Sequence, residues 1–173
     1  MNTSKFMQSD IALYGMLASV ALVMGYIESI IPIPYPVYGM KIGLANIVIM
    51  WVFYSMGFKA AGIISAGRIL LAGFLFGNLY SILFSLAGAV FSMGIMFLLK
   101  KTGKFTIVGV SIGGGVFHNL GQILVAALVL ENIRITYVFP YLMITGIIAG
   151  IAIGILGGIL YRKIKILQTN VRS

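Results

Sequence analysis

Long apolar stretches, broken by short polar or glycine- and proline-bearing segments, set the rhythm of this chain. Six of them read as helices at about residues 11–31, 42–56, 58–77, 79–99, 106–130 and 137–161. A helix rises ~1.5 Å per residue and a hydrocarbon core is ~30 Å thick, so a crossing needs about 20 residues. The stretch 42–56 is short for this, and is expected to be sunk below the surface or to begin within the loop before it. That loop, IPIPYPVYGMK, sets Pro32, Pro34 and Pro36 at alternate positions, which breaks a helix and favours an extended, ordered connection. Gly77-Asn78 predicts a tight turn between the third and fourth stretches, and residues 131–136 a short polar loop.

The polar positions inside these stretches are few. Arg68 stands ~10 residues into the third, or ~15 Å by helical rise, close to the middle of a hydrocarbon core. A charge at that depth is costly and must meet a partner, a cavity or a ligand. Ala61, Ser65 and Ala72 share its helical face and leave room around it. In the fifth stretch, GVSIGGGVFHNLGQ aligns Ser111, Gly115, His118 and Gln122 on one face with Asn119 beside them. Glu28 falls near the far end of the first stretch, Asn46 near the start of the second, and Asn78 at the turn.

The small residues form a second pattern. Gly146, Gly150, Gly154 and Gly158 recur every four residues along the sixth stretch, a spacing suited to backbone contact between helices. Contact within the bundle is the expected use, and docking to another membrane subunit the alternative. Gly15 with Ser19, and Ala21 with Gly25, are two looser small pairs in the first stretch.

Composition agrees with the helical pattern: 61% of the 173 residues are hydrophobic and 9% charged. The expectation is an all-α membrane protein of one domain, residues 1–173. The first stretch lacks an evident cleavage site and is expected to stay as a span. The net charge of +9 could suggest nucleic acid, but the basic residues gather at helix ends, where they orient the chain and meet lipid headgroups. Six spans put both termini on one side. Lys5, Lys59, Lys100, Lys101, Lys104, Arg162, Lys163, Lys165 and Arg172 fall on that side, and Lys41 and Arg134 opposite. This bias predicts cytoplasmic termini.

The composition also excludes chemistry. Cysteine is absent, so there are no disulfides or thiolate metal sites. One His, one Asp and two Glu leave little for a metal cluster, and neither a metal nor a cofactor is expected. No P-loop occurs. Asp10 is the only Asp, so an Asp-rich Mg²⁺–pyrophosphate site cannot be built in this chain. No nucleophile–base pair is legible around His118, and the chain is not expected to be an enzyme by itself.

With cytoplasmic termini the polar groups concentrate in the external half, which implies a ligand pocket open to the outside. A structural role is the alternative throughout: Arg68 could pair with Glu28, and His118, Asn119 and Gln122 could cross-link helices. Glu28 and Asn78 taken alone read as structural, though both are kept among the candidate ligand contacts, whereas the crowding of three polar side chains at 118–122 favours a ligand.

The segments PIPYPVYGMKIGLANIV and GVSIGGGVFHNLGQI, with the lone Arg68, resemble the membrane family called heptaprenyl diphosphate synthase component I or Gx transporter, over nearly all six spans. That family is grouped with the substrate-binding S-components of energy-coupling factor (ECF) transporters. The resemblance implies a six-helix bundle whose first loop closes over an external pocket. It also implies partners: a transmembrane coupling subunit met through small-residue helix faces, and ATPase subunits. The reading is a bacterial plasma-membrane protein that captures a small, anionic molecule. Arg68 and His118 would meet its polar or anionic groups, Asn46, Asn119 and Gln122 would hydrogen-bond, and Lys41 would attract anions at the mouth. The family label implies a rival, a membrane subunit of isoprenoid or quinone biosynthesis.

Overall fold

The computed structural model describes residues 3–30 and 43–172, with side chains described from residue 11 to 167 apart from 29 and 31–42. Six α-helices carry most of it: α1 (Thr3–Ile30), α2 (Leu44–Ser55), α3 (Phe58–Phe76), α4 (Leu79–Thr102), α5 (Ile107–Val129) and α6 (Phe139–Arg172). A 3₁₀ helix, Ile133–Val138, leads into α6, and no strand occurs among the described residues. It occupies most of the expected polar loop and the first residues of the expected sixth span. Pro140 falls in the first turn of α6, where its missing N–H removes no helical hydrogen bond. α1 begins well before its apolar stretch, because residues 3–10 hold no Pro or Gly to stop it.

Four of these helices, α1, α3, α4 and α5, and the segment running from the 3₁₀ helix through α6, are long and apolar enough to cross a membrane. α2 has 12 residues, ~18 Å by helical rise, which does not cross alone. It sits inside the bundle: Ala45, Val48, Ile49, Met50, Val52 and Phe53 are all buried. Neighbouring helices close a ring in the order α1, α3, α4, α5, α6, α2 and back to α1, with α2 also touching α3.

Because the helices are apolar all round, hydrophobicity alone does not decide which face turns inward. Residue size and polarity do. Large side chains such as Ile63, Phe74, Val90 and Leu128 face outward, while Ala21, Ala45, Ala60 and Ala61 are almost wholly buried. At the end of the bundle that holds the α6 C-terminus, Met50, Val52, Phe53, Ile64 and Val110 fill the interior. There Lys100 donates to the Phe53 carbonyl at 3.0 Å and lies over the Phe53 and Tyr54 rings, tying α4 to the end of α2.

The glycines of α6 form the tightest seam. A Cβ on Gly150 would come within 2.6 Å of Ile112 Cα, and one on Gly154 within 2.7 Å of Val108 Cα. One on Gly146 would meet the Gly115 carbonyl oxygen at 2.8 Å. These three therefore lay α6 backbone on α5 backbone. Gly158 differs from its expected role, since a Cβ there would meet only Ile107 side-chain atoms at ordinary distances of 3.7 Å or more. The α1 pairs divide: Ala21 is buried and Gly25 faces Ala45 and Arg68, whereas Gly15 and Ser19 lie on the exposed surface. Ser19 turns its hydroxyl back to the Gly15 carbonyl at 2.9 Å.

Candidate functional site

All six helices contribute to one cavity of about 400 Å³. It occupies the half of the bundle away from the apolar plug. Its inner end meets Met50, Met93, Met96 and Ile153, and its outer end meets Glu28, Gly43, Gln122 and Leu142.

The α1–α3 side is built around Glu28. α2 starts at Gly43, whose φ of 85° is left-handed and which supplies no side-chain cap. A residue with a Cβ adopts that conformation rarely, and a Cβ would also lie 2.8 Å from Ile153 Cδ1. The two free N–H groups at the start of α2 are met from another helix. Glu28 Oε1 accepts from Gly43 N at 2.6 Å, and Oε2 from Leu44 N at 3.1 Å. A carboxylate at a helix N-terminus is favoured by both the hydrogen bonds and the dipole. Glu28 is only 5% exposed and both its oxygens are engaged, so it anchors α2 to α1 rather than waiting for a ligand.

One turn into α2, Asn46 Oδ1 accepts a 3.4 Å hydrogen bond from Arg68 Nη2. Arg68 and Glu28 interact electrostatically, but the Glu28 oxygens belong to the backbone of α2. The Arg68 Nε is buried and has no hydrogen-bond partner among the described residues. Gly25 makes space for this guanidinium, since a Cβ there would stand 3.8 Å from Nη1. Arg68 lines the cavity.

On the opposite side, α5 presents Ser111, Gly115, His118, Asn119 and Gln122 to the cavity, the face expected from their spacing. Asn119 is occupied: its Nδ2 donates to the Leu142 carbonyl at 2.6 Å and to Thr145 Oγ1 at 3.4 Å. It cross-links α5 to α6. His118 and Gln122 lie against Gly88 of α4, where a Cβ would come within 2.8 Å of His118 Cε1 and 2.9 Å of Gln122 Cγ. Gly88 therefore sets how far both side chains withdraw from the cavity.

One of the expected site residues does not join this group. Asn78 is the exposed N-cap of α4: its Oδ1 accepts from Ser81 N at 2.8 Å while Ser81 Oγ returns a bond to the Asn78 backbone. This reciprocal capping box occupies its Oδ1 at the exposed start of α4, away from the cavity, so Asn78 is corrected from ligand contact to helix cap. Lys41, like the proline-bearing loop, lies outside the described residues.

The cavity also includes residues the sequence reading passed over. They are Ser85, Ala89 and Ser92 of α4, which line it with Ser65, the α3 residue expected on the Arg68 face. The α4 signal was present: Ser85, Ala89 and Ser92 recur at helical spacing, a small and polar stripe in an otherwise bulky helix. Among the described residues no group of three or more His, Cys, Asp or Glu side chains is placed to hold a metal.

A family model described as heptaprenyl diphosphate synthase component I matches residues 17–160, a span that includes every cavity-lining residue. No curated protein and no solved structure matches the chain.

Proposed function

The chain belongs to the heptaprenyl diphosphate synthase component I family, and from that premise we propose that it is a membrane-embedded capture protein of the ECF S-component type. It crosses the plasma membrane with six helices, α2 counted as a short one, and keeps both termini in the cytoplasm. It takes up a small anionic molecule from the external side. Separate ATPase subunits and a membrane coupling subunit supply the energy, and the chain itself performs no catalysis.

The observation that carries this reading is the cavity itself. Six helices converge on an interior space of about 400 Å³, within the ~300–1,000 Å³ typical of small-molecule sites. A protein that served only as a scaffold would gain more from packing that space, because an unfilled cavity lowers stability. Arg68, a charged donor lining this space in a low-dielectric setting, supports a polar or anionic ligand.

The family description favours a second reading, a membrane subunit of isoprenoid or quinone biosynthesis. Liposome uptake separates the two. In the first reading, accumulation of the molecule that co-purifies with the chain requires added coupling and ATPase subunits plus ATP. In the second, a prenyl synthase subunit gains activity from this chain and no ATP-driven uptake occurs. Gly88→Leu tests the cavity in either case. The added side chain invades the space held by His118 and Gln122, so the variant should emerge from membranes folded but without the co-purified molecule, as read by mass spectrometry. Unchanged retention would remove this cavity from the proposal.

A further inference from the structure

The hydroxyls at the inner end of the cavity behave unlike others in the chain. A serine or threonine on a helix ordinarily turns its side chain back to a carbonyl of its own preceding turn. Ser19 does so on the exposed surface, to Gly15 at 2.9 Å, and Thr145 does so to Leu142 at 2.9 Å. Ser65 and Ser111 do not. They are 5% and 4% exposed, and neither makes a side-chain hydrogen bond among the described residues. The wholly buried side-chain donors without a partner among those residues are Trp51 Nε1 and Arg68 Nε. The Ser65 and Ser111 oxygens differ from these in reaching the surface of the cavity that both residues line.

The two hydroxyls make an inner polar tier. Ser65 lies one helical turn, ~5 Å, inward of Arg68, and Ser111 lies two turns, ~10 Å, inward of His118. Their chain neighbours Ile64 and Val110 belong to the apolar plug. This tier lies at the opposite end of the cavity from Glu28 and Gly43, between which the chain passes through residues 31–42. Little around it can satisfy a hydroxyl. Ser92 gives its own to Met96 Sδ at 3.6 Å, while Met50, Met93 and Ile153 present apolar surface and weak thioether acceptors. A hydrocarbon or prenyl tail seated here would cover both oxygens and give no hydrogen bond in return, and a covered, unmet hydroxyl is unfavourable. An uncharged hydroxyl, carbonyl or amide would meet them. Resting on the capture reading above, we propose that the captured molecule is polar at both ends. An uncharged hydrogen-bonding group sits on Ser65 and Ser111, inward of the group that meets Arg68, and molecules ending in a hydrocarbon tail are discriminated against.

4-Hydroxybenzoate and 4-methylbenzoate test this in detergent-solubilised full-length protein. Both bring a carboxylate for Arg68 on the same ring, and they differ only in a hydroxyl or a methyl at the far end. Isothermal titration should give 4-hydroxybenzoate a Kd about tenfold lower, the difference expected for one hydrogen bond made against one hydroxyl left unmet. In the double variant Ser65→Ala with Ser111→Ala, the two Kd values should come within about twofold of each other. Equal or tighter binding of 4-methylbenzoate by the unaltered chain overturns the inner polar tier and leaves the capture reading standing. So does a preference that survives in the double variant. The absence of Cys from the chain allows a second arm. Ser65→Cys and Ser111→Cys, made singly, are treated with the neutral reagent 2-hydroxyethyl methanethiosulfonate and read by mass spectrometry, with Arg134→Cys as the exposed control. Both inner thiols should be modified. If they are modified but neither acid binds, the two-ended ligand is overturned while the cavity stays open to small molecules. If they stay unmodified while the control reacts, the cavity admits no small molecule, and the capture reading falls with the proposal.

Discussion

The α5–α6 wall and the α1–α3 wall enclose the same cavity and are held by different forces. Between α5 and α6 the contact is backbone on backbone, with Gly146, Gly150 and Gly154 lying on Gly115, Ile112 and Val108. Nothing there can rearrange without separating two helices. The α1–α3 wall is held by individual polar bonds: Glu28 to the start of α2, and Asn46 to Arg68. The glycine seam fixes a rigid backing for His118, Asn119 and Gln122. The polar side carries the charge, and the Arg68 Nε there has no hydrogen-bond partner among the described residues. Membrane interiors make this division natural. Helix association in lipid gains little from hydrophobicity, so it relies on close packing or on hydrogen bonds.

The comparison breaks most visibly at the seam. Gly150→Leu forces a side chain into the backbone of α5 at Ile112, and overpacking of this kind costs about 3 kcal/mol or more. The expected result is loss of most folded protein, measured as monodisperse yield and thermal stability in detergent. Gly158→Leu is its control, because its neighbours are side chains at ordinary distances; it should express nearly as well as the unaltered chain. Equal damage from both would mean that helix propensity, not contact with α5, explains the glycines.

On the polar side the expected loss is of binding rather than of folding. Arg68→Gln removes a charged donor worth roughly 1.5–3 kcal/mol, about tenfold or more in affinity. Protein yield should hold, because Glu28 keeps its two backbone partners when Arg68 is gone. For the same reason the double variant with Glu28→Gln should not regain binding. Retention of the co-purified molecule, with thermal stability in parallel, checks both. Recovery in the double variant would assign Arg68 to pairing with Glu28.

The smallest effect is expected at Asn78, outside both walls. Asn78→Ala removes a cap worth about 1 kcal/mol and should leave retention unchanged. A loss of binding at Asn78 would extend the site to the α3–α4 turn and blur the contrast between the two walls.

Several of these features were readable one residue at a time. The Arg68 depth, the 111–122 face and the four-residue glycine spacing are all local patterns on a helix, and helical geometry converts spacing into a shared face. Asn78 misled because a polar residue at a turn reads alike as a cap or as a contact. The position of Ser81 three residues on was the cue to a capping box. Gly88 carried no local cue, since its importance comes from a ring on another helix.

The sequence alone determined an all-α membrane protein and the faces on which polar and small residues gather, because membrane helices satisfy their own backbones and their period is fixed. It also determined what the chain lacks, since an absent Cys or a single Asp needs no fold to be counted. Which faces meet was decided only by the tertiary structure. Apolar helices in lipid have no hydrophobic side to turn inward, so the pairing of Gly150 with Ile112, the reach of Glu28 to Gly43 and Leu44, and the bond between Arg68 and Asn46 depend on distances between segments far apart in the chain.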